Sequence, residues 1–164
     1  MKKFVKASAL IALVLALVMI FTACDLFKPS EKTFSGNGFS ITLDSSFAEK
    51  ELASMTAYYE SQKVIVTVLK EELSLFAGYN VETLDDYAEL VISANSLQNV
   101  EVLEKDGLVY FEYERSVNGK DFKYLATVHK GSDAFWLVQF ASETKNYDTL
   151  KSDMEGYAKS FLPN

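Results

Sequence analysis

Residues 109–128 of the chain, VYFEYERSVNGKDFKYLATV, contain the clearest indication of its fold. The dipeptide Asn118-Gly119 is typical of two-residue β-hairpin turns, because both turn residues need a positive φ. A turn at this point defines one pairing register, in which apolar side chains face each other and opposite charges meet. The diagnostic pairs are Val109–Val128, Phe111–Ala126, Tyr113–Tyr124 and Glu114–Lys123. The segment therefore predicts an antiparallel hairpin with one apolar face, and with Glu112, Glu114, Lys123 and His129 on the other.

The segment after this hairpin predicts a covered strand and a helix. Residues 134–140, AFWLVQF, are apolar on both faces, as a central strand of a sheet would be. Beyond them, apolar residues recur at helical spacing from about Tyr147 to Phe161, with Asn146 as the candidate N-cap. The C-terminal part is therefore predicted to end in an amphipathic helix.

The first half of the chain predicts further strands and one more helix. Gly36-Asn37-Gly38 supplies a tight turn before the alternating strand 39–43, and residues 55–59 and 64–69 form a second candidate hairpin. Thr83 and Asp86 have the spacing of a capping box, and apolar residues follow at helical spacing up to Ala94. Hairpins with two separated helices favour an α+β fold: an α/β/α sandwich around a mainly antiparallel sheet of about six strands.

The N-terminus has the pattern of an export signal. Three lysines occur in residues 1–6, and an almost unbroken apolar run extends from residue 7 to Ala23, followed by Cys24. This pattern resembles the bacterial lipoprotein signal peptide and its lipobox, although Phe21 stands where that family usually has leucine. The resemblance implies that the Cys24 thiol receives a diacylglyceryl group and that signal peptidase II cuts between Ala23 and Cys24.

Two other interpretations share these features, namely a plain signal peptide and an uncleaved membrane anchor. The lipobox is favoured because Cys24 is the chain's only cysteine and a free thiol is unusual in an exported protein. We thus expect residues 1–23 to be a signal peptide, residues 24–33 a lipidated cysteine and short polar tether, and residues 34–164 a single domain. Two acyl chains on one residue anchor stably, and a nine-residue tether reaches at most about 30 Å. The predicted location is the extracytoplasmic face of the cell membrane.

The charge balance excludes two classes of partner. All 23 acidic residues but only 13 basic residues follow residue 23, which leaves the remainder with a net charge of −10. Nucleic acids and anionic headgroups are bound through clustered lysine and arginine, so neither is an expected partner of the domain itself.

Few residues suggest catalysis. His129 is the only histidine, which argues against a histidine-dependent nucleophile and against a zinc site built from histidines. Acidic pairs occur at Glu71-Glu72, Asp85-Asp86 and Glu112 with Glu114, but solvated carboxylates are the simpler interpretation. Tyr58, Tyr59, Phe76 and Tyr79 are aromatics that either line a ligand groove or pack in the core. We expect no enzyme activity, no cofactor and no metal.

A family resemblance rests on three segments taken together: residues 36–43, the helix 84–94, and the strand 135–140 followed by the helix 147–161. In pattern and order these resemble PsbP-like domains, a superfamily that includes DcrB-type bacterial lipoproteins. The resemblance implies an α/β/α sandwich that binds partners and lacks catalytic residues. The expected function is that of a non-enzymatic interaction module for an unknown protein or envelope component. The alternatives are a small-molecule or lipid carrier with a pocket between sheet and helix, and a carboxylate-dependent hydrolase.

Overall fold

The computed structural model describes residues 29–164, which form ten strands, two α-helices and one short 3₁₀ helix, Leu73–Phe76. In chain order the elements are β1 (Glu31–Gly36), β2 (Phe39–Asp44), β3 (Ala48–Lys50), β4 (Ala57–Glu60), β5 (Ile65–Glu72), α1 (Leu84–Ala94), β6 (Leu103–Lys105), β7 (Leu108–Val117), β8 (Lys120–Lys130), β9 (Ala134–Glu143), α2 (Thr144–Lys159) and β10 (Leu162–Pro163). Among these residues, no helix combines the length and the apolar character that crossing a bilayer requires.

Seven strands form one antiparallel sheet in the order β3-β4-β5-β9-β8-β7-β6. The β7–β8 hairpin has the register predicted from Asn118-Gly119, including Val109 opposite Val128 and Glu114 opposite Lys123. Both turn residues have positive φ, 52° at Asn118 and 76° at Gly119, which explains why this dipeptide sets the register. The second predicted hairpin is confirmed as β4–β5, and β9 lies at the centre of the sheet as its two apolar faces indicated.

Both faces of the large sheet are covered. On one face, α1 packs against alternate residues of β7, β8 and β9, with Tyr87, Ala88 and Val91 buried against the sheet. On the other face, α2 buries Tyr147, Met154 and Ala158 against the intervening residues of the same strands. The alternation of side chains along each strand makes two cores possible in one sheet. The predicted α/β/α sandwich is therefore confirmed.

Three strands form a separate small sheet in the order β1-β2-β10. Phe39, Ile41 and Leu43 of β2 are fully buried in the same core as α2, so this sheet extends the layer on that side. β1 begins at Glu31, so residues 31–33 are paired with β2 and are not part of the predicted tether. Their exposed side chains gave no alternating pattern from which a strand could be predicted.

The strand count and one helix cap differ from expectation. The large sheet exceeds the predicted six strands because β3 and β6 are three-residue edge strands whose side chains are all exposed. Asn146 is not the N-cap of α2, because β9 runs directly into the helix and the cap position falls at Glu143. The last residue of α2 is Lys159, and the chain then turns into β10.

Thr83 caps α1 as the capping-box spacing predicted. Its hydroxyl accepts a hydrogen bond from the Asp86 amide at 3.1 Å, and the Asp86 carboxylate accepts one from the Thr83 amide at 2.8 Å. We expect Thr83→Ala to lower the free energy of unfolding by about 1 kcal/mol, because the orphan amide of the first turn loses its partner. Urea titration followed by circular dichroism measures the effect. Asn146→Ala, at the position that does not cap α2, is the matched control, and an equal loss in both variants would contradict the prediction.

Candidate functional site

The predicted lipidation site and cleavage site, Cys24 and Ala23, lie outside the described residues, so their assignment stays a prediction. Within residues 29–164, no group of three or more histidine, cysteine, aspartate or glutamate side chains is arranged to hold a metal ion. The remaining candidates are His129, the half-buried carboxylates, the unassigned aromatics and the grooves of the surface.

His129 is held in an apolar environment on β8. Its Nε2 lies 3.1 Å from the Thr127 hydroxyl, and its ring centroid lies 4.7 Å from that of Phe161. Burial lowers the pKa of His129 to about 4, because the charged imidazolium is poorly solvated there. The ring is therefore neutral at physiological pH, and its nearest partners are a threonine and a phenylalanine. This environment is that of a structural side chain.

Three tyrosine hydroxyls from the helices each donate a hydrogen bond to a strand carboxylate. The pairs are Tyr87 to Glu71 at 2.5 Å, Tyr147 to Glu112 at 2.7 Å and Tyr157 to Asp44 at 2.7 Å. Burial raises the pKa of all three hydroxyls, and the adjacent carboxylate raises it further by hydrogen bonding and by its charge. These pairs bind each helix to a strand and satisfy phenol groups that would otherwise be buried without a partner.

Glu112 is the most highly connected of these carboxylates. Besides Tyr147, it pairs with Lys151 of α2 at 2.6 Å and with Lys123 of β8 at 3.6 Å. Desolvation raises the pKa of Glu112, but the hydrogen bonds from Lys151 and Tyr147 and the two lysine charges outweigh it, so the pKa of this carboxyl is lower than usual. Glu112 is thus an ionised anchor for α2.

We expect Glu112→Ala to lower the free energy of unfolding by about 1–3 kcal/mol, because the buried Tyr147 hydroxyl loses its acceptor. Chemical denaturation monitored by far-UV circular dichroism gives the value. Glu114→Ala is the matched control, since Glu114 lies two residues further along the same face and is exposed. Equal stability of the two variants would show that Glu112 does not anchor the helix.

The four unassigned aromatics divide between core and surface. Tyr59 is buried against Phe34, Tyr58 is half-buried, and Phe76 packs edge-on against Tyr87. Core packing thus accounts for Tyr59 and Phe76. By contrast, Tyr79 is 65% exposed and nearby Leu75 is 62% exposed, so the segment after β5 presents two apolar side chains to solvent.

An open groove of about 490 Å³ lies beside α2, between this helix and the segments around Ser46 and Gln62. Phe47, Val64 and Leu150 provide an apolar lining, and Asp44 and Asp153 add two carboxylates. The alternation pattern did not indicate this groove, because its walls come from two loops and a helix that are distant in sequence.

Two further grooves border the connection between α1 and β6. The first groove has a volume of about 340 Å³ and lies between residues 97–100 and residues 112–114 of β7, and Lys123 also lines it. The other, of about 530 Å³, lies between the same connection and α1, and is lined by three carboxylates, from Asp85, Glu89 and Glu101. Val100 lines both grooves. The sequence alone did not indicate that these acidic residues share one surface, because they come from segments that only the fold brings together.

The paired carboxylates do not form a common site. Asp86 is engaged in the capping box of α1, while Glu71 accepts from Tyr87 on the opposite side of the sheet from Glu112 and its α2 partner Tyr147. Glu72 lies 3.1 Å from Lys70. The arrangement is one of separate structural contacts rather than of an acid and a base facing one cleft.

Comparison with known proteins identifies the fold. No protein-family model matches the chain, and no curated protein does. Among solved structures, the cyanobacterial PsbP protein CyanoP from Synechocystis sp. PCC 6803 is similar with a TM-score of 0.54 and 16% identity, over 82% of this chain and 93% of CyanoP. The Ran-binding protein Mog1p of Saccharomyces cerevisiae has a TM-score of 0.53 and 10% identity, over 83% of this chain and 96% of Mog1p. A Bacteroides thetaiotaomicron VPI-5482 structure has a TM-score of 0.56 and 8% identity, over 84% of this chain but only 49% of that one.

The chain therefore has a PsbP-like fold, with mainly antiparallel strands in two sheets and two helices. At these identities the similarity concerns the fold alone. The narrower resemblance to DcrB-type lipoproteins stays a prediction from the sequence.

Proposed function

We propose that this chain is a lipoprotein attached to the extracytoplasmic face of a membrane through a diacylglyceryl Cys24, and that its PsbP-like domain is a non-enzymatic interaction module. It would bind a protein or envelope component close to the bilayer. The observation that carries the proposal is that the groups suited to acid–base chemistry are engaged in structural contacts. His129 is neutral against Phe161, and Glu71, Glu112 and Asp44 each accept a tyrosine hydrogen bond.

The attachment follows from the position of the only cysteine. Cys24 directly follows a long apolar run and Ala23, which is the order that lipoprotein signal peptides have. A domain with a net charge of −10 after residue 23 is repelled by anionic headgroups, so it needs a covalent anchor to stay at a membrane. The fold itself also occurs in Mog1p, a Ran-binding protein, which is consistent with a binding role.

Fractionation of cells that express the full chain tests the anchor. The wild-type protein is expected in the membrane fraction, with diacylglycerol on an N-terminal Cys24 by mass spectrometry. Cys24→Ser is expected to leave the membrane fraction or to retain its leader. Recovery of wild-type protein in the cytosol with the leader intact would overturn the proposal.

Chemical cross-linking in intact cells tests the binding role. Affinity purification of the full-length protein is expected to enrich a defined partner over a control lipoprotein that carries the same signal peptide and a different domain. Enrichment of nothing above that control would contradict the proposed role.

One observation favours a second candidate, a carrier of small apolar molecules. The groove beside α2 has an apolar lining from Phe47, Val64 and Leu150 and a volume of about 490 Å³, within the range of ligand sites. Thermal-shift measurements against lipids and metabolites test it, with Leu150→Asp as the variant expected to abolish any shift.

A further inference from the structure

The last two strands at one edge of the large sheet differ in length. β6 pairs only with Leu108–Tyr110, whereas β7 continues to Val117. Along residues 111–117, β7 therefore has β8 on one side and, within residues 29–164, no strand on the other. We call residues 111–117 of β7 the open edge. Such an edge presents unpaired backbone donors and acceptors, which are a template for an added strand.

The hairpin register identifies which backbone groups face outward. In a hairpin with a two-residue turn, the two residues that flank the turn exchange backbone hydrogen bonds; here they are Val117 and Lys120. Along β7, the backbone groups of successive residues then point alternately toward β8 and away from it. The amide and carbonyl groups of Glu112, Glu114 and Ser116 consequently point away from β8. No backbone group elsewhere in the described chain forms a hydrogen bond with them.

Space for an added strand exists beside this edge. The groove of about 340 Å³ lies where residues 97–100 diverge from β7, and Glu112, Tyr113 and Glu114 line its other wall. The connection does not continue the β6–β7 ladder past the Leu103–Tyr110 pair. A groove therefore separates this connection from the open edge at the end where β7 leaves β6.

The charge around the open edge defines the occupant. The groove beside the open edge is lined by two carboxylates, from Glu112 and Glu114, and by the cationic side chain of Lys123. Lys123 is itself within 3.6 Å of Glu112. Lys151 lies 2.6 Å from Glu112 as well, so Glu114 is the carboxylate of the open edge that has no ion pair among the described residues. An incoming strand is therefore favoured if it places lysine or arginine beside Glu114.

A second copy of this chain fits poorly. A two-fold symmetric contact between edges is antiparallel, so it is centred on residue 113, 114 or 115 if at least two of the three outward residues are to pair. If the contact is centred on residue 114, Glu114 lies opposite its own copy, and if it is centred on residue 115, Arg115 does. If it is centred on residue 113, Glu112 of one copy lies opposite Glu114 of the other. Like charges directly opposite one another destabilise a sheet, so every register is penalised.

We propose that the open edge of β7 binds an extended basic peptide segment of a partner protein by β-strand addition, with basic side chains alternating with apolar ones. This inference rests on the proposed interaction function and names the partner class and the surface. A basic side chain on one face of the added strand meets Glu114, and apolar side chains on the other face meet Tyr113. Backbone pairing supplies affinity, and the alternating side chains supply selectivity.

Fluorescence polarisation with the full-length protein in detergent tests the proposal, using three labelled octapeptides as probes. The first alternates lysine with valine, the second alternates glutamate with valine, and the third is the lysine peptide N-methylated at every second residue. The lysine peptide is expected to bind, and the other two at least 10-fold more weakly. N-methylation removes the backbone donors and leaves the charge unchanged. Equal binding of the methylated peptide, or no binding of the lysine peptide at millimolar concentration, would overturn the proposal.

Proline substitutions locate the site. Glu114→Pro removes an outward amide of the open edge, a position at which proline is tolerated in an edge strand, and is expected to weaken binding at least 10-fold. Ser35→Pro is the matched control, because Ser35 occupies the equivalent outward position on β1, the edge strand of the small sheet. It is expected to bind as the wild type does. Equal loss in both variants would overturn the assignment.

Glu114→Lys keeps the backbone and reverses the charge, so it provides a second test if the proline variant fails to fold. It is expected to prefer the glutamate peptide. A photo-cross-linking residue at position 116 or position 35 separates this inference from the proposed function. If a partner cross-links only from position 35, the chain still has an interaction role, but the open edge is not the binding surface. If position 116 cross-links to a second copy of the chain, the occupant of the open edge is not a basic peptide.

Discussion

Replacing Trp136 with alanine is expected to lower the free energy of unfolding by about 3–5 kcal/mol, the largest effect of any single substitution discussed for this chain. Trp136 is 1% exposed at the centre of β9. Its ring centroid lies 5.5 Å from that of Phe39 in the small sheet and 5.7 Å from that of Phe161 after α2. Truncation removes a side chain that contacts both the small sheet and the C-terminal segment.

Urea unfolding followed by far-UV circular dichroism measures this loss, because Trp136 is the only tryptophan and its fluorescence disappears with it. Trp136→Phe is the matched control. It keeps an aromatic ring and removes the indole Nε1, which is buried and has no hydrogen-bond partner within the described chain. We expect a smaller loss for phenylalanine than for alanine. Equal losses would mean that ring packing does not explain the stability.

Acidification is expected to destabilise the domain through His129. Burial lowers the pKa of His129 to about 4 from an ordinary value of 6.5. The unfolded chain therefore binds this proton more readily than the folded chain does, so stability rises with pH between these two values. The contribution of His129 is complete above about pH 6.5 and is lost as the pH falls toward about 4, which amounts to about 2 kcal/mol between pH 7 and pH 5.

Denaturant unfolding of the wild type and of His129→Gln at pH 7, 6 and 5 tests this expectation. The glutamine variant cannot take up the proton, so its stability is expected to change much less across this range. The pKa values of Glu112 and Asp44 are lower than usual, so these carboxyls protonate mainly below the range chosen. Parallel pH profiles for the two proteins would contradict the role of His129.

Local sequence signals predicted the elements that they directly encode. Asn118-Gly119 set the β7–β8 register, Thr83 with Asp86 set the start of α1, and the two apolar faces of residues 134–140 placed β9 at the centre. In each case a turn, a cap or a pair of buried faces restricts the residues that can occupy the positions. Three of the strands that were not predicted carry no such restriction. β3, β6 and β10 are two or three residues long and mostly exposed, and only pairing with a neighbouring strand orders them.

The residues of the candidate sites also differ in whether a local sequence pattern or only the tertiary structure indicates them. Cys24 is predicted as a lipidation site because an apolar run followed by a lone cysteine is a local pattern. The contact between Tyr157 and Asp44 joins residues 113 positions apart, and no local pattern indicates it. The open edge of β7 likewise depends on β6 being shorter than its neighbour, which only the pairing of the strands shows.

The sequence by itself determined the fold class, one hairpin register, one helix cap, the acidic character of the domain and the expectation of a lipid anchor, because each depends on residue types at short spacing. The tertiary structure alone decided which tyrosines meet which carboxylates, how the small sheet joins the core of α2, and which backbone groups stay unpaired at the sheet edge. These features arise from contacts between segments distant along the chain, and the free energy of such contacts depends on packing that no short stretch of sequence specifies.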